Sequence, residues 1–392
     1  MLSVDAPAAR LGEPWDDRPV TRLAGFLGGL LGLLLVVVPS VAAGGFSPTP
    51  PSLSIILTGW RFDPTIALPL AAAAVAWLWI VDRIDRSHPD NPVPIPRTLS
   101  FLLGLFAIAF ALQSGIELYD TTLLSIHMVQ HLLLTMVGPP LILLGAPVTQ
   151  LFRAASPRGR RVILRVLHSP PIVFLTHPVT AWLSFTIAMW GSHFSPLFEL
   201  SLEDPSVHVL EHVMYLVTAL LFWYPVIGAD PAPHRLPYPA RGLYLLLQMA
   251  PSSFLAMALL FADAPLYRHY ATLGSPYGID ALSDQQAAAA IMWIATDMMF
   301  IGAILLVVGA WMRAEEARTA VIDRQADLER AAIDARADRL AGRAPSVARP
   351  PVAREGITRR PATRPAVGQA TATAAGPQAE AAPGISEASS SR

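Results

Sequence analysis

The sequence predicts an all-α protein, a polytopic bundle of transmembrane helices. Two observations carry this. Of 392 residues, 53% are hydrophobic and only 15% are charged, whereas a soluble domain carries about 25% charged residues. Apolar runs near 20 residues, the length that crosses a bilayer, recur along the chain. A third observation gives the orientation. All 28 basic residues are arginine, and they alternate between loops in the way that marks cytoplasmic and external sides.

Eight spans are expected, at about 22–43, 65–82, 98–116, 123–145, 172–191, 207–228, 242–262 and 288–312. Arginines gather in the amino-terminal segment (Arg10, Arg18, Arg22) and after span 2 (Arg83, Arg86, Arg97). They recur after span 4 (Arg153, Arg158, Arg160, Arg161, Arg165), after span 6 (Arg235, Arg241) and after span 8 (Arg313, Arg318). The remaining loops hold Arg61 and Arg268 but are acidic otherwise, with Glu117, Asp120, Glu199, Glu203, Asp204, Asp280 and Asp284. Both termini are therefore expected in the cytoplasm. The bilayer is the partner this composition requires. The net charge of −1 is silent about nucleic acid because the charges segregate by loop, and no nucleic-acid partner is expected.

Residues 1–21 read as a cytoplasmic segment, and 22–58 as an extra span with an external loop. "PSVAAGG" after span 1 also resembles a signal-peptide cleavage site, which would leave seven spans and an external amino terminus. The long leader favours an uncleaved span. Residues 59–312 form the seven-span core. Residues 313–343, rich in Ala, Arg, Glu and Asp, read as a charged cytoplasmic helix. From 344 to 392, Pro, Ala, Arg, Gly and Ser dominate, a composition that cannot bury a core and predicts a disordered tail.

Histidines break the apolar pattern. His127 and His131 stand four apart in "IHMVQHLLLTMVGPPLILLGAP", so both rings leave one face of span 4. His131 falls about 12 Å below the start of that helix. His208 and His212 repeat the spacing at the outer start of span 6, and His193 ends span 5 on the same side. A single histidine in a membrane helix can simply hydrogen-bond to a neighbour. Two i,i+4 pairs at matching depth point instead to a shared polar site, because ionisable groups in a span are costly. Glu211, between the histidines of span 6, is a candidate to orient a ligand or to relay a proton. Asp297 and Asp284 are further carboxylates that could do either, and Asp297 could equally bridge helices. Neutral imidazole suits copper, zinc, nickel and iron. Met128 and Met292 could add thioether ligands that favour Cu(I), although methionine in such helices also serves packing. Haem is a rival cofactor, with one axial ligand from each pair. There is no cysteine, which excludes disulfides and thiolate sites. Walker, dinucleotide and GxSxG motifs are missing. Pro139 and Pro140 should kink or break span 4 below the histidines.

"HMVQHLLLTMVGPPLILLGAP", "HPVTAWLSF", "MWGSHFSPLFE", "HVLEHVMYLVTALLFWYPVIG" and "DQQAAAAIMW" together resemble the CtaG-type cytochrome c oxidase assembly factors of bacteria. "GWRFDP", with Trp60 and Asp63, resembles the start of that family's core. The resemblance covers about 59–312. One departure is "AAAAIMW" after "DQQ", where a glycine is common. The resemblance implies a non-enzymatic, multi-pass protein of the bacterial plasma membrane that matures a haem–copper oxidase. It implies copper, in an unspecified oxidation state, held at the outer histidines and passed to oxidase subunits. Two other classes compete. A copper transporter should carry polar steps through the whole membrane, but the inner halves of spans 4 to 6 are apolar. A membrane haem or quinone oxidoreductase should show a second cofactor layer.

Overall fold

The computed structural model describes residues 49–341, so expected span 1 and the tail beyond 343 lie outside the described residues. Among the described residues every regular element is helical. The short α1 (Leu53–Thr58) precedes α2 (Pro64–Ser87) and α3 (Ile95–Gln113). Next come α4 (Leu124–Leu132), a π-helical turn (Leu133–Val137), α5 (Gly138–Leu144), α6 (Pro147–Ala154), α7 (Pro157–Leu167) and α8 (Pro170–Leu175). The chain continues with α9 (Pro178–His193), α10 (Pro196–Glu203), α11 (Pro205–Ile227), α12 (Tyr238–Leu260) and α13 (Arg268–Thr272). It closes with α14 (Ala281–Leu340).

Proline sets half of these starts. Pro64, Pro147, Pro157, Pro170, Pro178, Pro196 and Pro205 each occupy the first helical position, where a missing N–H costs nothing and the fixed φ already suits the helix. Several are preceded by a side chain that caps the next turn, as Asp63 accepts from Thr65 N, Ser195 from Leu197 N and Asp204 from Ser206 N.

Six stretches among the described residues are long and apolar enough to cross a membrane: 64–87, 95–113, 124–154, 205–227, 238–260 and the apolar part of α14. They match six of the expected spans. The seventh, expected at 172–191, is divided. His177 caps a fresh start at Pro178, its Nδ1 accepting from Val179 N, so α8 ends and a separate 16-residue α9 begins. At 1.5 Å per residue α9 is about 24 Å long, short of a full bilayer core. Residues 313–340 continue α14 and are almost all exposed.

The double proline does not break span 4; the chain widens there instead. Pro139 and Pro140 lack N–H groups, and the π turn just before them absorbs the mismatch, with Gly138 N donating five residues back to Leu133 O. The carbonyl that residue 139 would have served is Thr135 O, and Trp223 Nε1 on α11 takes it at 3.0 Å. The helix therefore passes the prolines without an unpaired Thr135 carbonyl, and is locked to α11 by the repair.

Close packing depends on two glycines. A Cβ at Gly104 on α3 would come 2.7–2.9 Å from Ile142 and from the Gly138 carbonyl, so only glycine lets α3 sit against α5. A Cβ at Gly115 would overlap the backbone of Ile55 and Ile56, which fastens α1 to the loop at 114–123. An aromatic core of Phe185, Phe222, Trp223, Tyr244 and Phe300 fills the bundle on α9, α11, α12 and α14. The histidines lie beyond it, toward the start of α4 and α11 and the end of α9.

Candidate metal centre

Helical spacing alone places the first four rings. His127 and His131 leave one face of α4, with Nε2 atoms 2.8 Å apart. His208 and His212 leave one face of α11, with ring centroids 4.3 Å apart. The two pairs meet: His127 stacks on His208 at 5.4 Å and His131 meets His212 edge-on at 5.7 Å. Glu211 Oε2 stands 4.0 Å from His131 Nε2. Donor atoms of His127, His131 and Glu211 all lie within 4.8 Å of one another, and all three residues are buried.

His193 reaches the same layer from α9 but stands apart. Its ring meets Phe198 at 5.4 Å, and Phe198 in turn meets His127 at 5.1 Å and His131 at 6.4 Å. Hydrogen bonding sets its tautomer. Nδ1 donates to Met189 O at 2.8 Å, which leaves Nε2 as a buried lone pair without a partner. His127 is held in a similar way. Tyr270 gives its proton to Asp120 O at 2.6 Å, so its oxygen can accept only from His127 Nδ1, 3.3 Å away.

The layer is short of partners. Among the described residues, eleven buried side-chain N or O atoms have no hydrogen bond, and eight lie in or beside it. They are Asp120 Oδ2, Gln130 Oε1, His131 Nδ1, His193 Nε2, His208 Nε2, both oxygens of Glu211 and His212 Nε2. The hydroxyls nearest Glu211 are those of Ser201, which donates to Phe198 O at 2.7 Å, and Tyr215, which pairs with Ser192. Buried polar atoms in folded proteins almost always have a partner. Four imidazole nitrogens, three carboxylate oxygens and one amide oxygen share this layer without a partner, and an imidazole and carboxylate donor set fits a borderline divalent metal.

Other candidate residues take different places. Asp284 accepts from Leu124 N, Ser125 N and Ser125 Oγ, so it caps α4 from the first turn of α14 and sets the depth of the histidine helix. Asp297 accepts from Trp293 Nε1 at 2.9 Å and from Ser253 Oγ at 3.2 Å, a bridge between α14 and α12. Met128 and Met292 line a cavity of about 20 Å³ beside His131, together with Met136 and Met189. That space holds one water-sized occupant.

Four residues had no role assigned from the sequence. Phe198 sits on α10 and Tyr270 on α13, both inside stretches read as plain loops. Glu117 and Asp120 were noted only as acidic loop markers. Gln130 Nε2 donates to Glu117 Oε2 at 2.7 Å, and Asp120 Oδ2 lies 3.7 Å from His208 Nε2. Burial, and then the neighbouring Asp120, hold the Glu117 carboxyl well above the usual carboxylate range. Burial pushes Asp120 up to about 7. An open groove of about 470 Å³ between α2, α3 and α11 reaches Glu117, His208 and His212 from one side.

The cytochrome c oxidase caa3 assembly factor family matches residues 75–314, which contain the whole histidine layer. Uncharacterized proteins of Mycobacterium bovis, Mycobacterium tuberculosis and Mycobacterium leprae are each 31% identical over 288 residues. The match covers 71% of this chain and 43% of each relative, so the chain spans less than half the length of these relatives. No solved structure matches it. The chain belongs to the cytochrome c oxidase caa3 assembly factor family.

Proposed function

We propose that this protein assists assembly of a cytochrome c oxidase by holding copper in the histidine layer and handing it to an oxidase subunit. The family supplies the assembly role. The carrying observation for metal is the set of unpartnered buried donors around His127, His131 and Glu211. Copper is cargo in this reading, and the protein performs no bond chemistry of its own. His127, His131, His208 and His212 supply imidazole, Glu211 supplies charge, and His193 contributes a lone pair already freed by its bond to Met189. The arginine alternation puts the layer at the external face of the plasma membrane, with the chain's carboxyl-terminal side in the cytoplasm.

The aromatic core beneath the layer argues against passage of the ion through the bundle, as a transporter would need. A haem or quinone oxidoreductase has no observation in its favour, since the five converging histidines form one layer.

The test uses cells whose own copy is replaced by variants. His127→Ala, His131→Ala and His212→Ala should leave protein levels normal but yield oxidase polypeptides poor in copper and activity. Excess copper in the medium should restore part of that activity by mass action. His177→Ala, in the opposite half of the bundle, removes the cap of α9 and should leave oxidase copper and activity at the wild-type level. Normal oxidase copper in all three histidine variants would remove copper handover from the account.

A further inference from the structure

Resting on the copper reading, we infer that the layer holds two metal positions, and that Asp120 with His208 forms the outer one. The inner position is His127, His131 and Glu211, whose donor atoms lie within 4.8 Å of one another. Among the described residues the outer pair belongs to no such group of three.

Asp120 is 1% exposed, and its two oxygens differ. Oδ1 accepts from Thr121 N at 2.6 Å. Oδ2 has no hydrogen bond and faces His208 Nε2, which has none either, across 3.7 Å. That gap is too long for a hydrogen bond. It suits two ligands of one ion: bonds of about 2.0–2.2 Å at tetrahedral to trigonal angles separate donor atoms by about 3.3–3.7 Å. The loop bearing Asp120 is held in place from α13, by Tyr270 Oη to Asp120 O at 2.6 Å and His269 Nε2 to Thr121 O at 2.8 Å. The carboxylate is therefore positioned by the fold.

With only two protein donors, this position is incomplete, and its His208 lines the open groove while the buried Asp120 does not. The groove of about 470 Å³ reaches His208 and His212, whereas His127 and His131 do not line it. An ion at Asp120–His208 can keep a ligand of its carrier on the groove side while two protein ligands engage it. Donors then replace one another one at a time, with no change of oxidation state and without a bare ion. The outer position exchanges metal, and the inner position stores it.

The test titrates full-length protein in detergent with Cu²⁺, then measures bound copper and its release to a soluble chelator. Wild type should hold about two ions, one released quickly and one slowly. Asp120→Asn should lose the fast ion and keep the slow one. Glu211→Gln should weaken the slow ion and spare the fast one. His208→Ala should also lose the fast ion, and free imidazole, admitted by the groove, should restore it. Two ions with unchanged release in Asp120→Asn would reduce the 3.7 Å gap to a water bridge and overturn the outer position alone. A single ion in wild type, retained in Asp120→Asn and lost in Glu211→Gln, would do the same. No copper bound by wild type would overturn the copper reading itself.

Discussion

At the arginine end of the bundle Arg241 and Asp230, withdrawn from water, have found partners; the histidine end holds eight of the eleven buried side-chain atoms without one among the described residues. Arg241 is 7% exposed, yet its guanidinium donates to Leu236 O, Val226 O and Ile227 O and lies over the Tyr238 ring at 5.0 Å. These bonds close the end of α11, where Gly228 turns the chain at φ +56° and a Cβ would come 2.6 Å from that guanidinium. Asp230 accepts from Val148 N, Thr149 N and Thr149 Oγ1 at the start of α6. These groups hold structure and have no capacity left for a ligand. The histidine layer is as deeply buried and keeps eight donor and acceptor atoms idle. Burial without pairing costs about 1–3 kcal/mol per group. Under the copper reading, a metal bound in that layer would offset the cost that the fold concentrates there.

The comparison breaks most visibly at His131. Its replacement by alanine should lower copper affinity by more than the about 10- to 100-fold that losing a ligand's outer hydrogen-bond partner costs. The metal-free protein should also lose the His127–His131 hydrogen bond at 2.8 Å, which costs about 0.5–1.5 kcal/mol, a smaller effect than the loss of copper affinity. Equilibrium competition with a chelator, beside a melting curve, reads both. Arg241→Met should do the opposite: three carbonyls lose their donor, stability falls by about 1–3 kcal/mol, and copper affinity stays near wild type.

Asp284 sharpens the contrast, since it is a satisfied carboxylate at the unsatisfied end. Asp284→Ala should cost about 1 kcal/mol as a lost cap and weaken copper binding as α4 shifts. Asp284→Asn keeps an acceptor and should recover most of both, which a proton relay would not allow. The smallest effect is expected at Trp223→Phe. Loss of its bond to Thr135 O should cost about 0.5–1.5 kcal/mol, seen as a lower melting temperature with copper binding unchanged.

Much of the layer was legible before folding because helical geometry is local. A spacing of four puts His127 with His131, and His208 with His212, whatever else the chain does. Glu211 was legible because a carboxylate inside a span is costly. Asp120 was not, since its meaning lies in a contact with His208, far along the chain, while in the sequence it is one acid among several in a loop. Phe198 and Tyr270 stayed hidden for the same reason: α10 and α13 are too short to stand out against their loops. The division at 177–178 could have been read. His-Pro is a helix start, and the same proline signal opens seven helices among the described residues. Apolarity alone ran α8 and α9 together. The repair of the double proline by Trp223 depends on α11 lying alongside, which no local pattern announces.

The most direct test of the central claim is the copper-dependent shift in melting temperature of the full-length protein in detergent, for wild type and His131→Ala. An ion that binds only the folded chain stabilises it by about 2.7 kcal/mol at a hundredfold excess over its Kd. Copper should raise the wild-type melting temperature and leave His131→Ala where it stood without copper, whatever the difference between the two metal-free proteins. Equal shifts in both proteins, or none in either, would contradict the claim that the unpaired histidine layer is a metal site.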